Sequence, residues 1–232
     1  MRKSAFLFLL GAFMPALLIG QLTFEELVDR AFGTDQVLVN GIQFSNQYIR
    51  IEGNPYFMDG RFRIGSLLIG DHLYEPVSLR YNLYTQKVEI EHLSPKGHLN
   101  MLITVPGQIP AFYLEGYEFR RMQPGKDEPA YFMVLSSASA NCYIGWTIEA
   151  LGGGSSQERF SPPSKKFWIQ QGGQWVSFHD RKSYIHAFPK ERKKEFKALL
   201  KQKKFLFNIS TTGDVVDLAG ATLRLLDEGG GL

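Results

Sequence analysis

Between Val77 and Glu91 the chain reads VSLRYNLYTQKVEIE, and along it apolar and polar residues trade places at nearly every step. Val77, Leu79, Tyr81 and Leu83 alternate with Ser78, Arg80, Asn82 and Tyr84, and Val88 and Ile90 alternate with Lys87, Glu89 and Glu91. Successive side chains of a strand point to opposite faces, so this spacing gives one face to a core and the other to water, whereas a helix would scatter the same apolar residues around its axis. Two half-buried strands follow. Rougher alternation recurs in Phe62 to Ile69, Leu99 to Val105, Tyr117 to Arg121, Tyr131 to Leu135, Cys142 to Ile148 and Phe167 to Gln170. Short strands with close turn signals indicate antiparallel pairing.

The chain can fill such a sheet. It has 232 residues, 44% of them hydrophobic, with 18 Phe, 10 Tyr and 3 Trp, which is too apolar for intrinsic disorder. Tyr48, Tyr56, Phe57, Phe62, Tyr74, Tyr81, Tyr84, Phe112, Tyr113, Tyr117 and Phe119 all fall in the first, strand-rich half. Aromatic rings line concave binding sites, but a β core of this size also needs large side chains, and core filling is the simpler reading. The single cysteine, Cys142, excludes an internal disulfide.

Arg2 and Lys3 followed by the apolar stretch Ala5 to Ile19 read as an export signal occupying residues 1–20. The stretch is short for a bilayer span of roughly 20 residues. Cleavage after Gly20 would start the mature protein at Gln21, and no later segment is long and apolar enough to cross a membrane. The expected location is the periplasm or the cell surface.

Leu22 to Gly33 carries helix signals: Thr23 as cap, Glu26 as its capping-box partner and Gly33 as the stop. Pro189 opens a second helix through Lys203 with Phe196, Leu199 and Leu200 in one stripe, and Phe205, Phe207 and Ile209 then alternate as a strand. Asp214 is placed to cap a last helix whose Val215, Leu218, Ala219, Thr222, Leu225 and Leu226 share a face, before a frayed tail from Asp227. The GGGSS and SPPS stretches at 152–156 and 161–164 read as one loop. The expected organisation is therefore a single β-rich domain over 21–232, an antiparallel meander or curved sheet, with a short N-terminal helix and a helical segment at 189–226 packed on the sheet.

Chemistry-bearing residues are scattered. Cys142 with His179 or His186 offers a nucleophile and a base, but Cys142 shares strand parity with Ile144 and Trp146 and so faces the core, where thiols are inert. His92 and His98 beside Glu91, or His179 with Asp180, are donor types that zinc accepts, without the spacing of a zinc site. Asp59, Asp71, Glu75, Glu89, Glu91 and Glu115 are raw material for paired-carboxylate hydrolysis, yet Glu89 and Glu91 sit on the polar parity of their strand, where a solvated face accounts for them. No motif for a cofactor, a metal or a phosphate is present.

Residues 181–204 contain ten Lys or Arg against Glu191 and Glu195. Such a run suits an anionic lipid or polysaccharide surface, or a helix with its lysines in water; export argues against nucleic acid. The leading expectation is a non-catalytic binding or envelope-associated role with a lipid, glycan or protein partner. The alternative is a hydrolase of an envelope polymer using carboxylates or the His179 and Asp180 pair.

GNPYF at 53–57, the run at 77–91 and the lysine-rich helix followed by a Phe-rich segment carry a resemblance. Across about residues 41–226 the chain resembles exported proteins of unknown function from Bacteroidetes-type bacteria. That resemblance implies a β-rich fold and an envelope or secreted location, and it assigns no catalytic residue. The GGGSS and SPPS stretches depart from it.

Overall fold

The computed structural model describes residues 42–43, 48, 50–93, 99–103, 109–124, 128–153 and 156–229. The expected export signal and the Leu22 to Gly33 helix lie outside these residues. The protein is mainly β, with helices at the C-terminus. The strands are β1 (Ile42–Gln43), β2 (Arg63–Ile69), β3 (His72–Asn82), β4 (Lys87–Leu93), β5 (Leu99–Ile103), β6 (Ala111–Leu114) and β7 (Tyr117–Met122), then β8 (Ala130–Ser136), β9 (Ala140–Thr147), β10 (Ala150–Gly153), β11 (Ser156–Phe160), β12 (Ser164–Gln171) and β13 (Gln174–Phe178). Three α-helices follow: α1 (Arg181–His186), α2 (Lys193–Lys203) and α3 (Thr212–Gly229).

Eleven strands form one antiparallel sheet in the order β1-β5-β4-β3-β2-β6-β7-β8-β9-β12-β13. Most neighbours are consecutive in the chain, which is what short hairpin turns produce. The β12–β13 connection is Gly172-Gly173, both at positive φ, as a tight hairpin turn requires. Gly65 has a different cause: a Cβ there would stand 2.1 Å from the Tyr113 carbonyl oxygen of β6, so only glycine lets β2 sit between β3 and β6 at this bulged point.

The register places Leu79, Tyr81, Val88, Phe112, Phe119, Met133, Ile144 and Phe167 on one face, all of them buried. Tyr81 and Tyr131 lie on β3 and β8, four ladder steps apart. On a flat sheet, at roughly 4.8 Å per step, their strands would be about 19 Å apart. Their ring centroids are 5.7 Å apart, and the Gln86 amide, in the β3–β4 turn, donates to the Trp146 carbonyl of β9 at 3.0 Å. The sheet therefore curls with this face inward. Phe112 and Phe119 stack at 4.7 Å in its hollow, so the early aromatics mostly fill the core instead of lining a site.

The helices close the rest of the inner face. Phe178 of β13 meets Tyr184 of α1 at 4.9 Å, and the Tyr184 hydroxyl shares a 2.8 Å hydrogen bond with Thr222 of α3. Helix α3 packs on β8 and β9. In α2 the stripe Phe196, Leu199 and Leu200 is buried as its spacing predicts, and Phe188 stacks on Phe196. One apolar cluster runs from Phe57 to Leu226.

Several local expectations are corrected. Phe205 to Ile209 is a turn, not a strand: Lys204 takes a left-handed conformation to end α2, and the Ile209 and Ser210 amides both return to the Leu206 carbonyl. Pro189 begins a 3-10 turn, Lys190–Arg192, and α2 starts only after it. Asp214 is inside the first turn of α3, accepting from the Thr211 amide and hydroxyl, while the Thr211 hydroxyl accepts from the Asp214 amide; Thr211 is the cap. Helix α3 continues through Gly229, and its Asp227 carboxylate accepts from Ser137 and Ser139 in the β8–β9 turn, so that end is tied down. The stretch read as one loop contains the β10–β11 hairpin.

Candidate functional site

At one end of β8, β9 and β12 the curled sheet leaves a cleft of about 1090 Å³. This is slightly above the roughly 300–1,000 Å³ that small-molecule sites occupy. Tyr131 and Trp146 form its floor, and Phe205 and Phe207 of the turn between α2 and α3 form a wall. Leu206 and Ile209, on the lip, are 55% and 70% exposed. Large aliphatic side chains held that open beside an apolar hollow are the informative exception to burial.

Lys165 enters this cleft from the sheet. It pairs across the ladder with Trp146 and shares the inner face with Phe167 and Ile169, so the pleat directs a charged side chain to the apolar side. Its ammonium donates to the Phe207 carbonyl at 3.4 Å, long for a charged N–H donor, which usually stands 2.7–2.9 Å away. Among the described residues no carboxylate lies within ion-pair distance of it. Partial burial pulls its pKa below the usual lysine range, and Asp214, acting through space, opposes that. Lys166, on the opposite parity, leaves the inner face and lies over the Trp168 ring at 5.0 Å.

A second cluster sits on the outer face. Glu89 is 2% exposed, which corrects its assignment to a solvated face. The Arg80 guanidinium donates to Glu89 Oε2 at 2.8 Å and to the Tyr56 hydroxyl at 2.8 Å, between the Tyr56 and Phe62 rings at 4.0 and 4.3 Å. Asn82 donates to Glu89 Oε1 and the Tyr48 hydroxyl, while its own oxygen accepts from the Tyr84 and Thr85 amides. Burial, and then the Glu89 carboxylate, push the Tyr56 hydroxyl up. Strand alternation placed these groups together correctly; the segment at 55–57, whose Phe57 amide and Pro55 carbonyl bond β3, is what removes them from water. Charge and hydrogen bonds inside the cluster are matched, so it works as a clasp for that segment.

The other nominated residues stay apart. Cys142 is fully buried, and desolvation pushes its thiol up to about 12. His179 and His186 are exposed: the His179 ring contacts Asp180 at 3.4 Å, and the His186 ring meets the Lys182 carbonyl. Asp180 is engaged in capping α1 with Ser183. Asp59 is held at about 2, first by its hydrogen bond from Arg63 and then by the Arg61 amide. Glu91 accepts from Ser78, and Glu115 pairs with Arg63. His98 and the His92 side chain lie outside the described residues; among those described, no three His, Cys, Asp or Glu gather as metal donors. Along the basic helix, Lys203 pairs with Asp217, and Arg192 binds Glu195 and the Leu225 carbonyl.

The alternation of this strand is plain in the sequence only from Phe167 onward, which hides the cleft. Extending the parity back two residues marks Lys165 as a cation on an apolar face, a local rule broken at a place where function is expected. No family model, curated protein or solved structure matches this chain.

Proposed function

We propose that this is an exported, non-catalytic binding protein whose rim cleft takes an apolar or amphipathic small molecule. The observation that carries the reading is the cleft itself: ring-lined walls beside Leu206 and Ile209, which are held in water. An apolar guest covering those side chains recovers roughly 25 cal/mol for each Å² of carbon surface removed from water. The curled sheet supplies a rigid floor, because Tyr131 and Trp146 are themselves packed in the core. The turn from Phe205 to Ile209 supplies the wall on which specificity is set.

Native mass spectrometry of the protein purified from its own envelope fraction tests this. A reproducible extra mass above the chain beginning at Gln21, lost in Ile209→Asp with an unchanged circular-dichroism spectrum, is the expected result. Ile209 is exposed, so the charge blocks the lip without disturbing the core. A bare mass, together with no displacement of 1-anilinonaphthalene-8-sulfonate by any apolar compound, would remove the basis of the proposal.

A further inference from the structure

We propose that the rim cleft selects a single-chain carboxylate, such as a long-chain fatty-acid anion, and that Lys165 is the residue that holds its carboxylate. This inference rests on the cleft being a binding site, and it adds the chemistry of the ligand's head.

Three features of Lys165 carry it. Its position on the inner face of β12 sends the ammonium into the hollow, and the next two residues on that parity, Phe167 and Ile169, are apolar, with the polar Gln171 only at the far end of the strand. Among the described residues one acceptor meets it, the Phe207 carbonyl at 3.4 Å, where an ammonium offers three donors. Finally, carbon surface stands beside it, with Trp146 directly across the ladder and Phe207 at the point where its Nζ arrives. A cation set beside apolar walls matches a molecule that is itself an anion joined to a hydrocarbon.

Asp214 acts on Lys165 only through space, beyond ion-pair distance, and the other charges at the cleft leave this assignment standing. Lys166 is directed to the outer face, and Arg181 opens α1 at the rim, beside Asp180 and His179. Glu128 is exposed at the mouth. Lys165 is the cation at the inner wall, and a carboxylate reaching it exchanges one long bond to an uncharged carbonyl for an ion pair at about the usual 2.7–2.9 Å. One inward cation favours one anionic head. The volume of about 1090 Å³ admits such a chain, and the vesicle arm of the test decides between one chain and the two of a membrane phospholipid.

The test uses the full mature chain and three probes of matched hydrocarbon: palmitate, hexadecanol and phosphatidylglycerol vesicles. Affinities are measured by displacement of a fluorescent apolar dye for the wild type, Lys165→Met and Lys165→Gln, with melting temperatures as the folding control. The inference expects palmitate to bind at least about tenfold more tightly than hexadecanol. Both Lys165 variants should erase that margin by weakening palmitate binding, with the melting temperature of the ligand-free protein unchanged. Equal binding of palmitate and hexadecanol by the wild type overturns the inference and leaves the cleft reading intact. A palmitate preference that survives both variants overturns the role of Lys165. Binding to vesicles without binding to free palmitate overturns the single-chain ligand in favour of a membrane surface. Failure of all three probes removes the cleft reading itself.

Discussion

Without Glu89, the Arg80 guanidinium would remain clamped between the Tyr56 and Phe62 rings with its counter-charge gone. A buried pair broken on one side loses about 3–5 kcal/mol, because the surviving charge is left in a medium that solvates it poorly. Glu89→Ala should therefore lower the unfolding free energy by that amount, read as a lower urea midpoint at constant slope, and the double variant Arg80→Met with Glu89→Met should recover part of the loss. If the single variant unfolds at the wild-type midpoint, the clasp contributes nothing. Cys142 gives a second test. Its folded thiol titrates near 12 and an unfolded thiol near about 8.5, so only the unfolded state releases its proton between those values. The group's contribution is whole below pH 8.5 and falls as pH rises, by about 1.4 kcal/mol per unit. Urea midpoints at pH 7.5 and pH 10 should converge more in Cys142→Ala than in the wild type. Iodoacetamide should modify Cys142 only after unfolding. Parity in the sequence predicts this buried thiol correctly, since Ile144 and Trp146 share its face. The same parity misplaces Glu89, because alternation names a face and does not reveal what another segment lays over it.

Elements were legible where period and punctuation agree. The alternation from Val77 to Glu91 becomes β3 and β4 in the expected antiparallel pairing, with Tyr81 opposite Val88. It fails for Phe205 to Ile209, where an equally good alternation is only five residues long and sits between two helices: the left-handed Lys204 turns the chain, and Phe205 is buried against Phe167 without entering a ladder. Strand β6 and helix α1 are too short to show a period, and α1 depends on the reciprocal Asp180 and Ser183 cap. At the start of α3 the Thr211 and Asp214 pair makes the same device. Thr211→Ala removes the side-chain acceptor for the Asp214 amide and should lower stability by about 1 kcal/mol, read as a shift in urea midpoint at constant slope. In β2, Gly65→Ala forces a Cβ onto the Tyr113 carbonyl, and because a backbone atom cannot swing aside, the loss should exceed that of the cap. A Gly65→Ala protein as stable as the wild type would show that β2 and β6 separate easily.

The cleft belongs to the whole molecule, which is why the sequence hides it. Gln86, Tyr131, Trp146, Lys165 and Phe207 come from five separate stretches, and only the curl of the sheet and the turn after α2 bring them together. The curl arises from the fit of Tyr81, Phe112, Phe119 and Tyr131 in its hollow, so the packing that stabilises the fold also sets where the rim stays open. Such a site makes affinity depend on the length of the guest. Each methylene moved from water to carbon walls contributes about 0.8 kcal/mol, so two contribute slightly more than a factor of ten in Kd. A series of n-alkanols from octanol to hexadecanol isolates this effect from any head-group contact. The dissociation constant should fall about tenfold for each two carbons until the chain fills the cleft and then level off, with a negative heat-capacity change at every length. Melting temperature should rise in the same order at fixed ligand concentration, because only the folded protein presents the cleft. Affinity independent of chain length would instead put the alkanol on an outer surface, since a guest that adds carbons outside the walls gains nothing from them.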